Sequence, residues 1–388
     1  MSIRVTKPAI NVREKLTELE TPPIGGHGSQ LMASKSIAES FETISAGRKN
    51  MVINGDMSIC QRLALDNTNS VDGTYQTDRY RMWDNGGGTM AASWRADAPP
   101  GFKYSLKLNV SAEDSTIGSS DDKNMQHRME GYMIRPLAWG TTGAKDASLS
   151  FWVKSSVTGH WGVALINNDQ NRAFVAEYTI DQPNVWEYKT IFVPGCKDGT
   201  WVTDNGMGCK ITWSLQGGSS KDGDPGTWNT GYYYQTNKQA RFAETVDATW
   251  FITGIQLEVG KEATPFEHRP YGEELALCQR YYQKSYESAT VPGTATNNGA
   301  VMHTLSVNQA YASPGSVKFP VQMRATPTMV IYSAQTGTAG KINCDATDGN
   351  GTAFGHSETG AFFSRSNDSG GTGSNVIARV QYTASAEL

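Results

Sequence analysis

The chain is short of charge, of cysteine and of long apolar runs. Only 19% of its 388 residues are Asp, Glu, Lys or Arg, against about 25% in an ordinary globular domain. Its polar surface must therefore rest on Ser, Thr, Asn, Gln and Gly. The net charge is 34 − 38 = −4, which argues against a nucleic-acid partner, since phosphate attracts basic patches. No apolar run approaches the roughly 18 residues of a membrane helix, so no membrane insertion is expected. The first seven residues, Met1 to Lys7, contain no apolar core of a secretory signal, and folding in a reducing cytoplasm is expected. The five cysteines (Cys60, Cys196, Cys209, Cys278, Cys344) are scattered and odd in number, so they are not a disulfide framework. No C-x-x-C or H-x-x-x-H spacing suggests a metal centre. The only cation candidate is Asp222-Gly223-Asp224, whose carboxylates suit a structural calcium; otherwise no cofactor is expected. No fixed-period repeat is present, which argues against a β-helix.

What is present divides the chain into four zones. Residues 1–50 offer two thin helical stripes. The better one places Ser36 and Glu39 at capping-box spacing and Ile37, Phe41 and Ile44 on one face. Such stripes cannot make a core alone, and they suggest an attachment segment that orders against a partner. Residues 51–268 read as β. Leu149, Phe151 and Val153 alternate, as do Leu106, Leu108 and Val110, and Trp250, Ile252, Ile255 and Leu257 mark another strand. Many strands without intervening helices predict a β-sandwich of jelly-roll type. Residues 269–284 switch to helical spacing, with Glu273 and Glu274 early and Arg280 and Lys284 late, an order that suits the helix dipole. They predict a connector helix. Residues 285–388 return to short strands punctuated by glycine, a second and smaller β-sandwich. The fold class is mainly β.

Several stretches then resemble one protein group. Arg48-Lys49-Asn50 through Ile53-Asn54-Gly55-Asp56-Met57 resembles an opening common in tailed-phage fibre and appendage proteins, especially marine and cyanophage-like ones. Thr77-Asp78-Arg79-Tyr80 is similar to the element that follows it there. Leu149 to Ser156, Thr249 to Gly260, and Ala263-Thr264-Pro265-Phe266-Glu267-His268-Arg269-Pro270-Tyr271 resemble further strands and linkers of that group. Tyr382-Thr383-Ala384-Ser385-Ala386-Glu387-Leu388 resembles its ending. The resemblance implies a virion structural protein with a carbohydrate-binding-module-like jelly roll. It also implies a homotrimer, with residues 1–50 meeting tail, baseplate or capsid proteins.

Three functions compete on the sequence. The first is a non-enzymatic tail fibre that attaches to host-surface polysaccharide or another receptor. The second is a head-fibre or decoration protein of the same fold. The third is a polysaccharide depolymerase tailspike, which would need two carboxylates about 5–10 Å apart. Glu130, Glu187 and Asp204 are candidates, but no spacing selects a pair. Sugar rings pack their C–H faces on aromatic planes, and Trp201, Trp228, Tyr232, Tyr233 and Tyr234 lie in or near Gly/Asp/Asn-rich loops. Trp152, Trp186 and Trp213 fall within strands and are expected in the core. Asp345 to Gly373 is expected to form a polar, glycine-rich tip that meets the host through Phe363 and Arg365, farthest from an N-terminal attachment point. Leu277 and Tyr281 are the residues expected at a subunit junction, because the connector helix is apolar on more than one side.

Overall fold

The computed structural model describes residues 48–69, 72–305, 311–345, 347–366 and 376–388. The chain divides into two compact units, Met1–Lys49 and Asn50–Leu388. The expected helical attachment segment falls on residues 1–47, outside the described residues.

Within Asn50–Leu388, alternation of apolar and polar residues builds two antiparallel sheets. The first runs Thr68–Asn69, Thr89–Arg95, Ser105–Ala112, Thr249–Val259, Ala147–Ser155, Glu187–Val193. The second runs Trp228–Asn229, Ala173–Ile180, Gly159–Asn167, Met207–Gly217, Asp122–Glu130, Tyr80–Asn85, Tyr75–Thr77. Leu106, Leu108, Val110, Leu149, Phe151 and Val153 point inward from the first sheet and are fully buried, or within 1% of it. They share one core with Met125, Val163, Trp213 and Tyr178 of the second. Phe151 meets Trp213 and Tyr178 edge-on, with centroids 5.9 and 5.1 Å apart, the geometry that ring quadrupoles favour.

Strand Thr249–Val259 explains its own irregular pattern. Trp250 and Ile252 face the core, and so do Ile255 and Leu257, a three-residue step that strict alternation forbids. A bulge between Thr253 and Gln256 absorbs the extra residue, with Gly254 at φ +63°, as a bulge glycine often is. A Cβ there would stand 2.8 Å from Phe102 and 2.9 Å from Trp152.

The helix after the jelly roll is shorter than its charge pattern predicts. It spans Tyr271–Gln279, and Tyr282–Lys284 leaves it as a strand. The remaining residues form one eight-stranded sheet centred on Val376–Ser385, which pairs with Tyr282–Lys284, Val301–Leu305, Thr328–Ser333 and Lys341–Cys344. Beyond Lys341–Cys344 the order continues through Thr347–Ser357, Gly360–Ser366 and Tyr311–Lys318. The sheet folds over until Tyr311–Lys318 lies near Val301–Leu305. Phe319, Ile331, Ile342, Phe363, Val380 and Tyr382 form its core. The smaller sandwich is thus one sheet turned over on itself. The Asp345 to Gly373 segment, expected as a loop, contains the hairpin Thr347–Ser357 with Gly360–Ser366; residues 367–375 lie outside the described residues.

Candidate functional site

The motifs that carry the family resemblance meet at one buried junction. Asn50 donates to the Ile255 carbonyl (3.0 Å), and its side-chain oxygen accepts from the Val52 and Leu257 amides. Asn54, held at φ 59°, donates to the Ile59 and Asp78 carbonyls, and its amide donates to Glu274 at 2.5 Å. Asp78, fully buried, accepts from Gln61 and Arg62. Arg79, also fully buried, pairs with Glu387 and donates to the Arg128 carbonyl. Arg269 donates to the Asn50 and Val52 carbonyls and to Glu274. Each charge that the fold buries here has a partner, as burial requires. These motifs join jelly roll, helix and third sheet into one body. His268 is used by packing: its ring stands 4.9 Å from Phe266 and 5.4 Å from Phe102.

Most of the expected glycan contacts are structural. Trp201 is 7% exposed and packs edge-on against Trp139 and Trp228, with centroids at 4.8 and 5.6 Å. Trp228 is half-buried, and its indole donates to the Pro194 carbonyl. Tyr234 is fully buried on Ala164, Ile166, Ala173 and Val175, where Tyr232 and Tyr233 join it half-buried. This loop therefore covers the outer face of the second sheet; apolar residues there needed a lid, and the tyrosines supply it. Beneath Tyr232, 4.3 Å from its ring, lies the Lys210 ammonium. Burial and the neighbouring Arg128 push the Lys210 pKa down to about 7.

Phe363 and Arg365 are also inside, at 0% and 4% exposure. Neither can meet an incoming ligand; the strand's alternation turns them to the core. The exposed rings of that hairpin are Phe354 and Phe362, stacked at 5.7 Å. The chain's last residues turn back to the jelly roll: Glu387 pairs with Arg62 and Arg79, and the Leu388 carbonyl accepts from Tyr75 and Arg128 at 2.7 Å. Tyr281, 1% exposed, is consumed within the chain by Arg79, whereas Leu277 is half-buried beside it. Asp222 accepts from Gln235 at 2.9 Å, and the Asp224 amide donates to Asn229. Among the described residues no group of three His, Cys, Asp or Glu side chains converges on a metal position. The three acid candidates are engaged locally. Glu130 holds Arg280 at 2.7 and 2.9 Å, Glu187 accepts from Lys189 and the Asp181 and Gln182 amides, and Asp204 accepts from the Gly206 amide.

The surface that can stack on a sugar is the outer face of the first sheet. Trp152 and Trp186 were expected in the core, but both are only half-buried, as Trp228, Tyr232 and Tyr233 are. Trp152 follows Phe151 and precedes Val153, which face inward, so period two turns Trp152 and Lys154 outward. That signal was in the sequence. Tyr188 sits directly opposite Trp152 in the strand register, ring centroids 5.3 Å apart, and is 44% exposed. Phe192, 47% exposed, continues the same edge. Lys154 packs 4.3 Å from Phe251 and 5.1 Å from Trp186, and pairs with Asp97 at 2.5 Å. Trp186 donates its indole N–H to the same carboxylate. Partial burial acts to raise the Asp97 pKa, but these hydrogen bonds outweigh it and hold the acid below its ordinary range. A row of rings is thus flanked by a fixed carboxylate and an ammonium, groups that bind hydroxyls.

No family model matches the chain, and no curated protein does. Solved structures are distantly similar, three of them as follows. The enzymatically active domain of tailspike protein 4 from bacteriophage CBA120 is 12% identical, with TM-score 0.30 over 54% of this chain and 21% of that one. The alignment thus spans about a fifth of the tailspike's length. A CBM4 structure is 12% identical, with TM-score 0.29 over 54% of this chain and 99% of that one. The family 11 carbohydrate-binding module of Clostridium thermocellum, solved with a mixed-linked tetrasaccharide, is 10% identical, with TM-score 0.25 over 52% and 98%. At these scores the likenesses carry no functional weight.

Proposed function

We propose that the chain is a non-enzymatic virion appendage protein, a trimeric fibre that holds host-surface polysaccharide on the outer face of the first sheet. The observation that carries this reading is the Trp152–Tyr188 pair, outward-facing and beside the Lys154–Asp97 ion pair. Two adjacent rings offer about the footprint of consecutive sugar units, and each stacked contact adds to the next. In a trimer three weak sites act together, and avidity replaces single-site strength. Residues 1–50 attach the fibre to tail, baseplate or capsid.

The test is retention of the purified full chain on immobilised polysaccharide from the host surface. Trp152→Ala with Tyr188→Ala should sharply lower retention without shortening the polysaccharide or unfolding the chain. Undiminished retention by the double variant would overturn this assignment, and shortened polysaccharide would favour the depolymerase. Labelling the chain on intact particles separates tail from head placement.

One observation favours a second use of the same face. Strand Glu187–Val193 ends the sheet order, and Tyr188 and Phe192 are exposed on it. Open strand edges with apolar side chains are association surfaces. If the face lies between subunits, Tyr188→Glu yields monomers by light scattering; if it binds sugar, the variant remains trimeric.

A further inference from the structure

A second surface is open between the jelly roll, the helix and the third sheet. A cleft of about 570 Å³ is lined by Asp56, by Ser58 to Gln61 and Leu63 to Leu65, and by Tyr271, Leu275 and Gln279 of helix Tyr271–Gln279. The volume is within the roughly 300–1,000 Å³ of small-molecule sites. None of the sequence-level candidates lines it.

Its lining carries the rings of Trp94, Tyr104, Tyr271 and Tyr286. Trp94 and Tyr104 lie ring to ring, centroids 4.3 Å apart and 34° from parallel. The Trp94 indole N–H donates to the Met57 carbonyl at 2.8 Å, which fixes the ring's orientation. Tyr271, in the first turn of the helix, has 55% of its surface exposed. A ring this exposed at a cleft edge gives the fold little; its free face is available to a ligand. Between the walls stand groups that read hydroxyls. The Asp56 carboxylate uses one oxygen to accept from the Ser58 amide. The Lys103 ammonium sits 5.1 Å from the Tyr104 ring. Gln279 is half-buried at the base of the helix wall. Lys284 spends two of its three N–H groups on the Ser288 and Thr290 carbonyls.

We propose that this cleft binds one hexopyranose unit of the polysaccharide, its ring on the exposed Tyr271 and its hydroxyls on Asp56, Lys103 and Gln279. The chemistry fits a sugar better than a purely apolar ligand, which would leave these polar groups desolvated and unpaired. It fits better than a phosphate as well, because Asp56 stands among the donors. The cleft is also rigid: Asn54, Gln61 and Glu274, which fix its two sides, belong to the buried junction network. Pre-formed walls lower the ordering cost of binding. The inference rests on the polysaccharide-binding reading above but names a different surface from the sheet face.

The experiment uses the full chain and a panel of methyl glycosides of glucose, galactose, mannose and N-acetylglucosamine, observed by saturation-transfer NMR. At least one glycoside should receive saturation. Tyr271→Ala should weaken its binding about tenfold with an unchanged melting temperature, since Tyr271 is exposed. Asp56→Asn should weaken it with less effect, and the Trp152→Ala, Tyr188→Ala double variant should retain it. Equal transfer from the Tyr271→Ala variant overturns the cleft, as does absence of transfer to every glycoside. If polysaccharide retention is lost only in the sheet-face variant while Tyr271→Ala retains it fully, the cleft assignment falls and the proposed function stands. If the unaltered chain retains no polysaccharide, both fall.

Discussion

The Arg79 guanidinium lies over the Tyr281 ring, 3.4 Å from its centroid, while its nitrogens reach Glu387 and the Arg128 carbonyl. One residue thus ties the jelly roll to the end of the helix and to the last strand. Arg79→Met keeps the stem but removes the charge-assisted bonds. It should cost about 3 kcal/mol, because breaking one side of a buried pair strands the other. Urea denaturation of both proteins measures it; a change below about 0.5 kcal/mol would remove Arg79 as the fastener.

Lys210 predicts a pH dependence. Its ammonium is 2% exposed and faces Arg128, Arg81, Asp122, Cys209 and the Tyr232 ring. Burial and Arg128 lower its folded pKa from 10.5 to about 7. The unfolded chain therefore binds more protons between these values, and stability rises with pH across that window. The cost of burying the charge is full below pH 7 and gone above about 10.5. Lys210→Met should raise stability at pH 6.5 by on the order of a few kcal/mol and change it little at pH 10.5. Equal effects at both pH values would show that the amine is charged throughout.

Gly254 tests the bulge. Its positive φ and the close approach of Phe102 and Trp152 leave no room for a methyl. Gly254→Ala should destabilise by about 1–3 kcal/mol and disturb Trp152, so sugar retention should fall with stability. An unchanged melt would contradict the packing described.

Adjacent phenylalanines separate burial from exposure. Phe363→Ala should cost about 3–5 kcal/mol, as core truncations do, whereas Phe362→Ser, at a position 50% exposed, should stay within about 0.5 kcal/mol. Thermal melts decide it, and a reversal would invert the hairpin's register.

Truncation should be sensitive across three residues, Arg48 to Asn50. Asn50 bonds Ile255, Val52 and Leu257, so a chain beginning at Arg48 should melt like the whole. One beginning at Met51 should melt lower. On the proposed function both should be missing from assembled particles; normal incorporation of the shorter chain would remove the attachment role of residues 1–50.

The strands were legible because their inward positions repeat every second residue, as at Leu149, Phe151 and Val153. The same parity places Trp152 outside, whereas its position within a strand had suggested the core; strand membership alone does not choose a face. Glycine misled in the opposite direction. Gly349 and Gly351 suggested a loose tip, yet a Cβ at Gly349 would stand 2.2 Å from Arg365, and one at Gly351 2.5 Å from Ile342. These glycines permit close packing within a strand. The Trp228 to Tyr234 loop was read as surface because apolar outer-face positions such as Ile166 and Val175 give no local sign of what covers them. The junction motifs were visible as a resemblance, but only the fold shows that their polar residues bond one another. The Trp94–Tyr104–Tyr271 cleft joins segments 167 to 177 positions apart, and no spacing could reveal it.

Ile53 and Leu388 pack in the same small cluster with Cys278 and Tyr281, so the two ends of the Asn50–Leu388 body leave from one place. A particle that tows this body by residue 50 pulls first on Asn50, Arg269 and Glu274, whose bonds fasten the start of the chain to the helix. Load entering there is shared at once between the helix and the central strand Thr249–Val259, which Asn50 grips at Ile255 and Leu257. The body should then resist traction as one piece, giving way in a single event rather than unravelling sheet by sheet.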